Sequence, residues 1–260
     1  MHKDGNMGRT LNLLDHLLVE SRRLLSIDQP RKALALLQRL ARLTDIPLSP
    51  AAEGQRLLGE TYLKLSQYRS ARRHFRRAIA WQPENAAAHH LLARAIVSDP
   101  AVDGARAAKP FRRALELDPG NVQLHCDAGV YFGEMGRWGD ALALLERAVE
   151  LAPEDLSVLR ALVDAMCEAE RFEEARRTVD VARFRFRGVG RLGQLRDNVE
   201  FRRSQQSQAT GEGADVLPFL RVVGGEGESV RGKKLRRDRA SKAHPHLPRV
   251  IRHFDTRRGG

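Results

Sequence analysis

Cysteine, long apolar runs and aromatic residues are all scarce in this chain of 260 residues. The two cysteines, Cys126 and Cys167, are too few for a disulfide framework, and they lack the paired spacing of a metal-binding motif. We therefore expect both to act as small apolar side chains in a reducing compartment. The first apolar stretch, Leu11 to Leu18, is interrupted by polar residues, which argues against a membrane span or a signal peptide. These features favour a cytoplasmic protein.

Groupings of catalytic residues are also missing from the sequence. No Ser/His/Asp or Cys/His set, carboxylate pair or cluster of metal ligands stands out. Two glycine-rich stretches imitate nucleotide-binding motifs, GVGRLG at 188–193 and GESVRGKK at 227–234. Neither has the strand before it and the α/β domain around it that such a motif requires. The sequence therefore predicts no enzyme activity, no cofactor and no metal.

A short phrase recurs through the middle of the chain. It reads FRRAIAWQPEN at 75–85, FRRALELDPGN at 111–121 and LERAVELAPED at 145–155. Phe75, Ala78 and Ile79 share one face of a helix, and Pro83 cannot continue that helix because proline has no backbone donor. The phrases recur about every 34 residues, a period that indicates stacked helical hairpins.

The residues around the phrase resemble the tetratricopeptide repeat. The first complete unit carries the pattern Leu58, Gly59, Tyr62, Ala71, Phe75, Ala78 and Pro83. Small residues stand where the two helices of a hairpin cross closely, and large ones fill the space between hairpins. The resemblance covers residues 11–182, with four clear repeats and a degenerate one at the N-terminus. It implies an all-α fold, a right-handed superhelical solenoid of stacked helical hairpins.

The rest of the chain falls outside the repeat pattern. We expect a flexible N-terminus at 1–10, a C-terminal capping helix within 183–208 and a disordered basic tail at 209–260. One irregularity lies inside the array. Pro110 would interrupt the second helix of the second repeat if that helix began at Asp103, so we expect the helix to start late or to kink.

The resemblance also implies a function. Tetratricopeptide arrays bind an extended or helical segment of a protein partner in a concave groove lined by the first helix of each repeat. Placed on that template, the partner groove here consists of Arg56, Glu60, His90, Arg94, Cys126, Val130, Arg160 and Asp164. The family's clamp for a terminal carboxylate is not matched, because Glu60 stands where Asn is expected. We predict a non-enzymatic interaction scaffold, although Arg56/Glu60 and Arg160/Asp164 also fit simple ion pairs on solvated helix faces.

The distribution of charge suggests an alternative function. The net charge is +12, yet residues 1–182 contribute only +1 and residues 231–260 contribute +9. A basic tail can bind nucleic acid non-specifically through phosphate contacts, and it lacks the interleaved aromatic residues that stack on bases. Arginine supplies 38 of the 45 cationic residues, a bias that a GC-rich genome also produces. The cations that carry this hypothesis are Arg231, Lys233, Lys234, Arg236, Arg237, Arg239 and Lys242.

Two apolar islands interrupt the tail, VLPFLRVV at 216–223 and HLPRVIRHF at 246–254. Each fits a segment that docks on a partner or a membrane surface, and each equally fits a segment that packs on the array or on nothing. The pattern does not choose between these possibilities.

Overall fold

A computed structural model describes the backbone of residues 3–42, 47–185 and 191–210, and the side chains within 12–42, 47–183 and 192–208. The chain divides into two compact units, Met1–Gln206 and Ser207–Gly260. Almost all of the described residues belong to the first unit. The cationic residues of the predicted basic tail and the islands at 216–223 and 246–254 lie outside the described residues.

The described part of the chain is built from helices joined by short turns. Eleven α-helices follow one another: α1 Lys3–Ser26, α2 Pro30–Leu40, α3 Leu48–Lys64, α4 Tyr68–Trp81, α5 Ala86–Val97, α6 Ala108–Leu117, α7 Val122–Glu134, α8 Trp138–Leu151, α9 Leu156–Glu168, α10 Phe172–Arg185 and α11 Arg191–Thr210. None of them is both long and apolar enough to cross a membrane.

Side-chain caps start the first helices of three repeats. The side chain of Asn85 accepts a hydrogen bond from the Ala88 amide at 3.0 Å, and Asn121 does the same for Leu124. Asp155 caps α9 by accepting from the amide of Ser157 at 2.8 Å. Each cap satisfies a backbone donor that the helix itself leaves free. The recurring proline two residues before each cap ends the preceding helix, so sequence and structure agree on this boundary.

Helices pack as antiparallel neighbours in five successive hairpins, from α1/α2 to α9/α10. The second helix of one hairpin also contacts the first helix of the next, as α4 contacts α5. First helices of neighbouring hairpins touch, as in α3 with α5 and α5 with α7, whereas no such contact joins the described second helices. The predicted fold class, an all-α solenoid of stacked helical hairpins, is confirmed.

Small residues allow the close helix crossings inside each hairpin. A methyl group added to Gly59 would lie 2.6 Å from the Phe75 ring, and one added to Gly129 would lie 2.7 Å from Cγ of Leu145. Both large partners are fully buried. Phe75 and Phe111 belong to one apolar cluster that runs from α4 to α8. In the first and third clear repeats, the large side chain of the phrase therefore fills the space above a glycine of the same hairpin, and Ala93 stands at the equivalent position of the second repeat.

The late helix start predicted in the second repeat is observed, and α1 begins earlier than expected. The second repeat has a 3-10 turn at Gly104–Ala107, and α6 begins only at Ala108. Pro110 therefore lies in the first turn of α6, where no intrahelical donor is needed. At the N-terminus, α1 begins at Lys3, earlier than the expected boundary at residue 11. No proline occurs between residues 3 and 26, so no missing backbone donor ends the helix before Lys3.

Helix α11 covers the apolar face of the fourth full repeat. Leu192, Leu195 and Val199 of α11 are buried in the cluster formed by α9 and α10. Ion pairs add contacts at the edges of this packing, such as Arg203 Nη1 to Glu173 Oε1 at 2.6 Å. An exposed apolar face at the end of an array would otherwise meet water.

The stability of the array should depend on pH through His74. This side chain is buried on α4, its Nδ1 lies 2.8 Å from Oε1 of Gln55, and its ring stacks on Tyr62. Burial, together with the charges of Arg73 and Arg77, lowers the pKa of His74 from 6.5 to about 4. The unfolded chain therefore binds this proton more readily. The contribution of His74 to stability is complete above pH 6.5 and falls as the pH drops towards 4.

We expect the free energy of unfolding to fall by roughly 2 kcal/mol between pH 7 and pH 5 because of His74. Urea denaturation at the two pH values measures the difference, which His74→Gln should abolish. Gln55→Ala is the matched control, because it removes the hydrogen bond but keeps the imidazole. That variant should be less stable at both pH values and retain the pH difference. If His74→Gln leaves the difference unchanged, other groups cause it.

Candidate functional site: the concave face

The first helices of the repeats form the inner face of the array. They contact one another from hairpin to hairpin, while the described second helices do not. The first helices are therefore closer together than the second helices. The array curves towards the side on which its helices are closer. We call the surface of α3, α5, α7 and α9 on this side the concave face. The eight residues of the predicted partner groove all lie on these four helices.

The N-terminal end of the concave face is an ion-pair network. Arg56 bonds Glu53 at 2.7 Å and Glu60 at 3.2 Å, and Glu53 also accepts a bond from Arg22 of α1 at 3.1 Å. Burial alone would raise the pKa of Glu53, but the hydrogen bond and charge of Arg56 hold it below its ordinary value. The carboxylate is therefore charged at neutral pH. The charges of Arg56 and Glu60 are paired with each other, and both side chains keep part of their surface accessible.

Asp127 organises the centre of the face, and sequence reasoning missed it. This side chain of α7 accepts bonds from His90 Nε2 at 2.8 Å and Gln123 Nε2 at 2.7 Å, and it lies 3.3 Å from Nε of Arg94. His90 and Arg94 come from α5, so Asp127 joins two hairpins. A signal was present in the sequence, because Asp127 is the only acid in α7 before its last residue.

Val130 and Cys126 also belong to α7, but they differ in accessibility. Val130 is 41% exposed, whereas Cys126 is only 5% exposed and packs in the cluster of α8 and α9. Burial raises the pKa of the Cys126 thiol to about 11, so the thiol is protonated at neutral pH. Its side chain is also too buried to contact a partner. Of the two, only Val130 offers apolar area to a partner.

A side chain of α11 reaches the C-terminal end of the face. Arg160 and Asp164 of α9 form an ion pair at 3.6 Å. Arg202 of α11 lies 3.5 Å from Asp164 and bonds Glu168 at 3.1 Å. Two cations therefore share Asp164, and both ends of the concave face carry charges that are already paired.

Neighbouring histidines do not assemble a metal site in the described part of the chain. His89 Nε2 lies 2.9 Å from the carbonyl oxygen of Pro83, and His125 Nδ1 lies 2.9 Å from that of Asn121. These bonds hold the rings against their own helix termini. Among the residues that the structure describes, no three His, Cys, Asp or Glu side chains could hold an ion together.

Comparison with known families agrees with this architecture. Sequence models of the tetratricopeptide repeat match residues 56–122 and 134–196. The chain belongs to the tetratricopeptide repeat family. The two matches cover α5, α6, α8 and α9, and the interval between them holds most of α7. Tetratricopeptide repeats support the general role of a protein-interaction scaffold. No curated protein matches the chain.

Solved structures of other tetratricopeptide repeat proteins share the fold. A thermophilic member from Thermus thermophilus is 20% identical, with a TM-score of 0.56 over 72% of this chain and 99% of that one. A member from Parabacteroides merdae is 12% identical, with a TM-score of 0.59 over 77% of each chain. MamA from Desulfovibrio magneticus RS-1 is 16% identical, with a TM-score of 0.54 over 65% of this chain and 93% of that one. These likenesses concern the fold alone.

Proposed function

We propose that this tetratricopeptide repeat protein is a non-enzymatic scaffold that holds a segment of a protein partner against its concave face. One observation carries the proposal, the accessible Val130 at the centre of a face whose charged ends are already paired. This side chain is 41% exposed, and a partner that covers it removes apolar surface from water, which favours binding.

The centre of the face also limits what the partner segment can be. Next to Val130 on α7, Asp127 holds His90 and Arg94 in fixed positions. A segment that covers Val130 therefore also meets polar groups that are pre-oriented, and pre-orientation lowers the entropy cost of binding. An apolar anchor flanked by hydrogen-bonding groups suits this surface, either on a helix or on an extended chain.

The substitution Val130→Glu tests this function. We expect it to weaken partner binding at least tenfold, because a carboxylate would have to lose its water against an apolar anchor. The measurement is affinity capture from the native host with quantitative mass spectrometry, followed by titration of the captured protein. Val181→Glu is the matched control, because Val181 is 62% exposed on α10, a second helix away from the concave face.

The outcomes separate the possibilities. A partner retained by Val181→Glu and lost by Val130→Glu supports the concave face as the binding site. Retention by both variants means that the partner binds elsewhere. Circular dichroism checks the fold, and if Val130→Glu unfolds the array, this residue contributes to the core and the assignment of the face is wrong.

A further inference from the structure

A second surface, on the side opposite the concave face, is strongly basic. Helix α4 contains five arginines and no carboxylate. Helices α4 and α6 together hold eight Lys or Arg and one Glu. The even charge balance of residues 1–182 therefore conceals a local excess of positive charge.

Most of these cations have no acidic partner in the described chain. Arg72 pairs with Asp99, and Arg113 pairs with Glu116 at 3.0 Å. The remaining cations of α4 and α6 are exposed, and no ion pair joins them to a described carboxylate; they are Arg69, Arg73, Arg76, Arg77, Lys109 and Arg112. Like charges at this density repel one another, so a bound anion would relieve that repulsion.

Between α4 and α6 this basic surface opens into a crevice of about 440 Å³. Ile79 of α4, Leu92 of α5 and Pro110 of α6 line it with apolar atoms. The polar lining consists of Arg76, His89, Lys109, Arg112, Arg113 and Glu116. We call this site the α4–α6 crevice. The late start of α6 places Pro110 in its wall, so the irregular second repeat contributes directly to the site.

We propose that the α4–α6 crevice binds an acidic segment of a protein partner that inserts one large apolar side chain. The apolar lining matches the side chain, and the guanidinium groups of Arg76 and Arg112 match flanking carboxylates, which they can bind in a bidentate manner. The proposed ligand combines carboxylates with an apolar side chain because the crevice combines cations with an aliphatic lining. A ligand that offered only negative charge would leave the aliphatic lining uncovered.

Nucleic acid fits the crevice less well. Binding of single-stranded nucleic acid relies on aromatic side chains on which the bases stack. The described lining offers only the His89 ring, whose Nε2 already lies 2.9 Å from the carbonyl oxygen of Pro83.

Fluorescence anisotropy with the full chain tests the proposal. The probes are a labelled acidic peptide with a central Leu-Phe pair, the same peptide with Ala-Ala in its place, and a single-stranded oligonucleotide of equal charge. We expect the Leu-Phe peptide to bind at least tenfold more tightly than the Ala-Ala peptide. The double variant Arg76→Glu, Arg112→Glu should lose at least tenfold in affinity for the Leu-Phe peptide.

The matched control is Arg147→Glu, Arg177→Glu, which makes the same change in net charge on exposed positions of α8 and α10. It should keep the affinity for the Leu-Phe peptide within about twofold of wild type. Equal losses in the two double variants, or equal binding of the two peptides, would overturn the proposal in favour of general charge attraction. Tighter binding of the oligonucleotide, lost in the crevice variant alone, would assign the crevice to nucleic acid instead.

Discussion

Replacing Phe75 with Ala is expected to lower the free energy of unfolding by about 3–5 kcal/mol. The ring is fully buried and fills the space above Gly59 of the same hairpin. Its removal leaves a cavity at a crossing that α3 and α4 cannot close without moving, since each also contacts α5. Urea denaturation followed by circular dichroism measures the loss. A loss below about 1 kcal/mol would mean that the crossing collapses onto the cavity.

A double-mutant cycle tests whether Phe75 and Gly59 act as one packing unit. Gly59→Ala alone should cost about 1–3 kcal/mol, because the new methyl group would lie 2.6 Å from the ring. In a Phe75→Leu background the same change should cost less, since leucine leaves room for it. Gly139→Ala is the control. No atom lies within 4 Å of the methyl group that it adds, and it should stabilise α8 by about 0.5–1 kcal/mol.

The repeat positions could be predicted from the sequence because they depend on contacts within one hairpin. A small residue (Gly59, Ala93, Gly129) and a large one (Phe75, Phe111, Leu145) recur at nearly fixed spacing, so each repeat solves the same packing problem. Helix ends were predictable for the same reason, since Pro83 and Asn85 act on their immediate neighbours. The late start of α6 also followed from the local effect of Pro110.

Features that depend on two hairpins were harder to predict. Asp127 bonds His90, which lies 37 residues earlier in the sequence. Which residues of α5 and α7 face each other depends on how far one hairpin is rotated against the next. The template assigned Cys126 to the groove, and this prediction was wrong because Cys126 is buried. The next residue on α7, Asp127, faces α5 instead. The α4–α6 crevice was hidden in the same way, because a charge sum over 1–182 does not show which side chains gather on one side.

The second large effect is expected from Asp127→Ala, which should lower the free energy of unfolding by about 3 kcal/mol. The substitution removes the carboxylate that accepts hydrogen bonds from His90 and Gln123 and that pairs with Arg94. The His90 and Asp127 side chains are only 12% and 17% exposed, so water replaces these bonds incompletely. Asp140→Ala is the matched control. It removes an exposed pair with Arg137 at 2.5 Å and should cost less than about 1 kcal/mol.

The charge of Asp127 can be separated from its shape by Asp127→Asn. Burial would raise the pKa of this carboxyl, but the hydrogen bond from His90 and the charge of Arg94 hold it below its ordinary value of 3.8. A carboxyl with a lowered pKa contributes stability above its unfolded value and loses that contribution as the pH falls through its folded value. The stability gap between wild type and Asp127→Asn should therefore be widest near neutral pH and narrow below pH 3.8. A gap that does not change with pH would show that shape, and not charge, holds the two hairpins together.

The same variants connect stability with binding at the concave face. If Asp127 orients His90 and Arg94 for a partner, Asp127→Ala should weaken the binding of any partner that Val130→Glu also loses, at temperatures where the variant remains folded. Asp140→Ala, on the second helix of the same repeat, should bind that partner as wild type does. Normal binding by a folded Asp127→Ala would limit Asp127 to a structural role and leave Val130 as the main contact of the face.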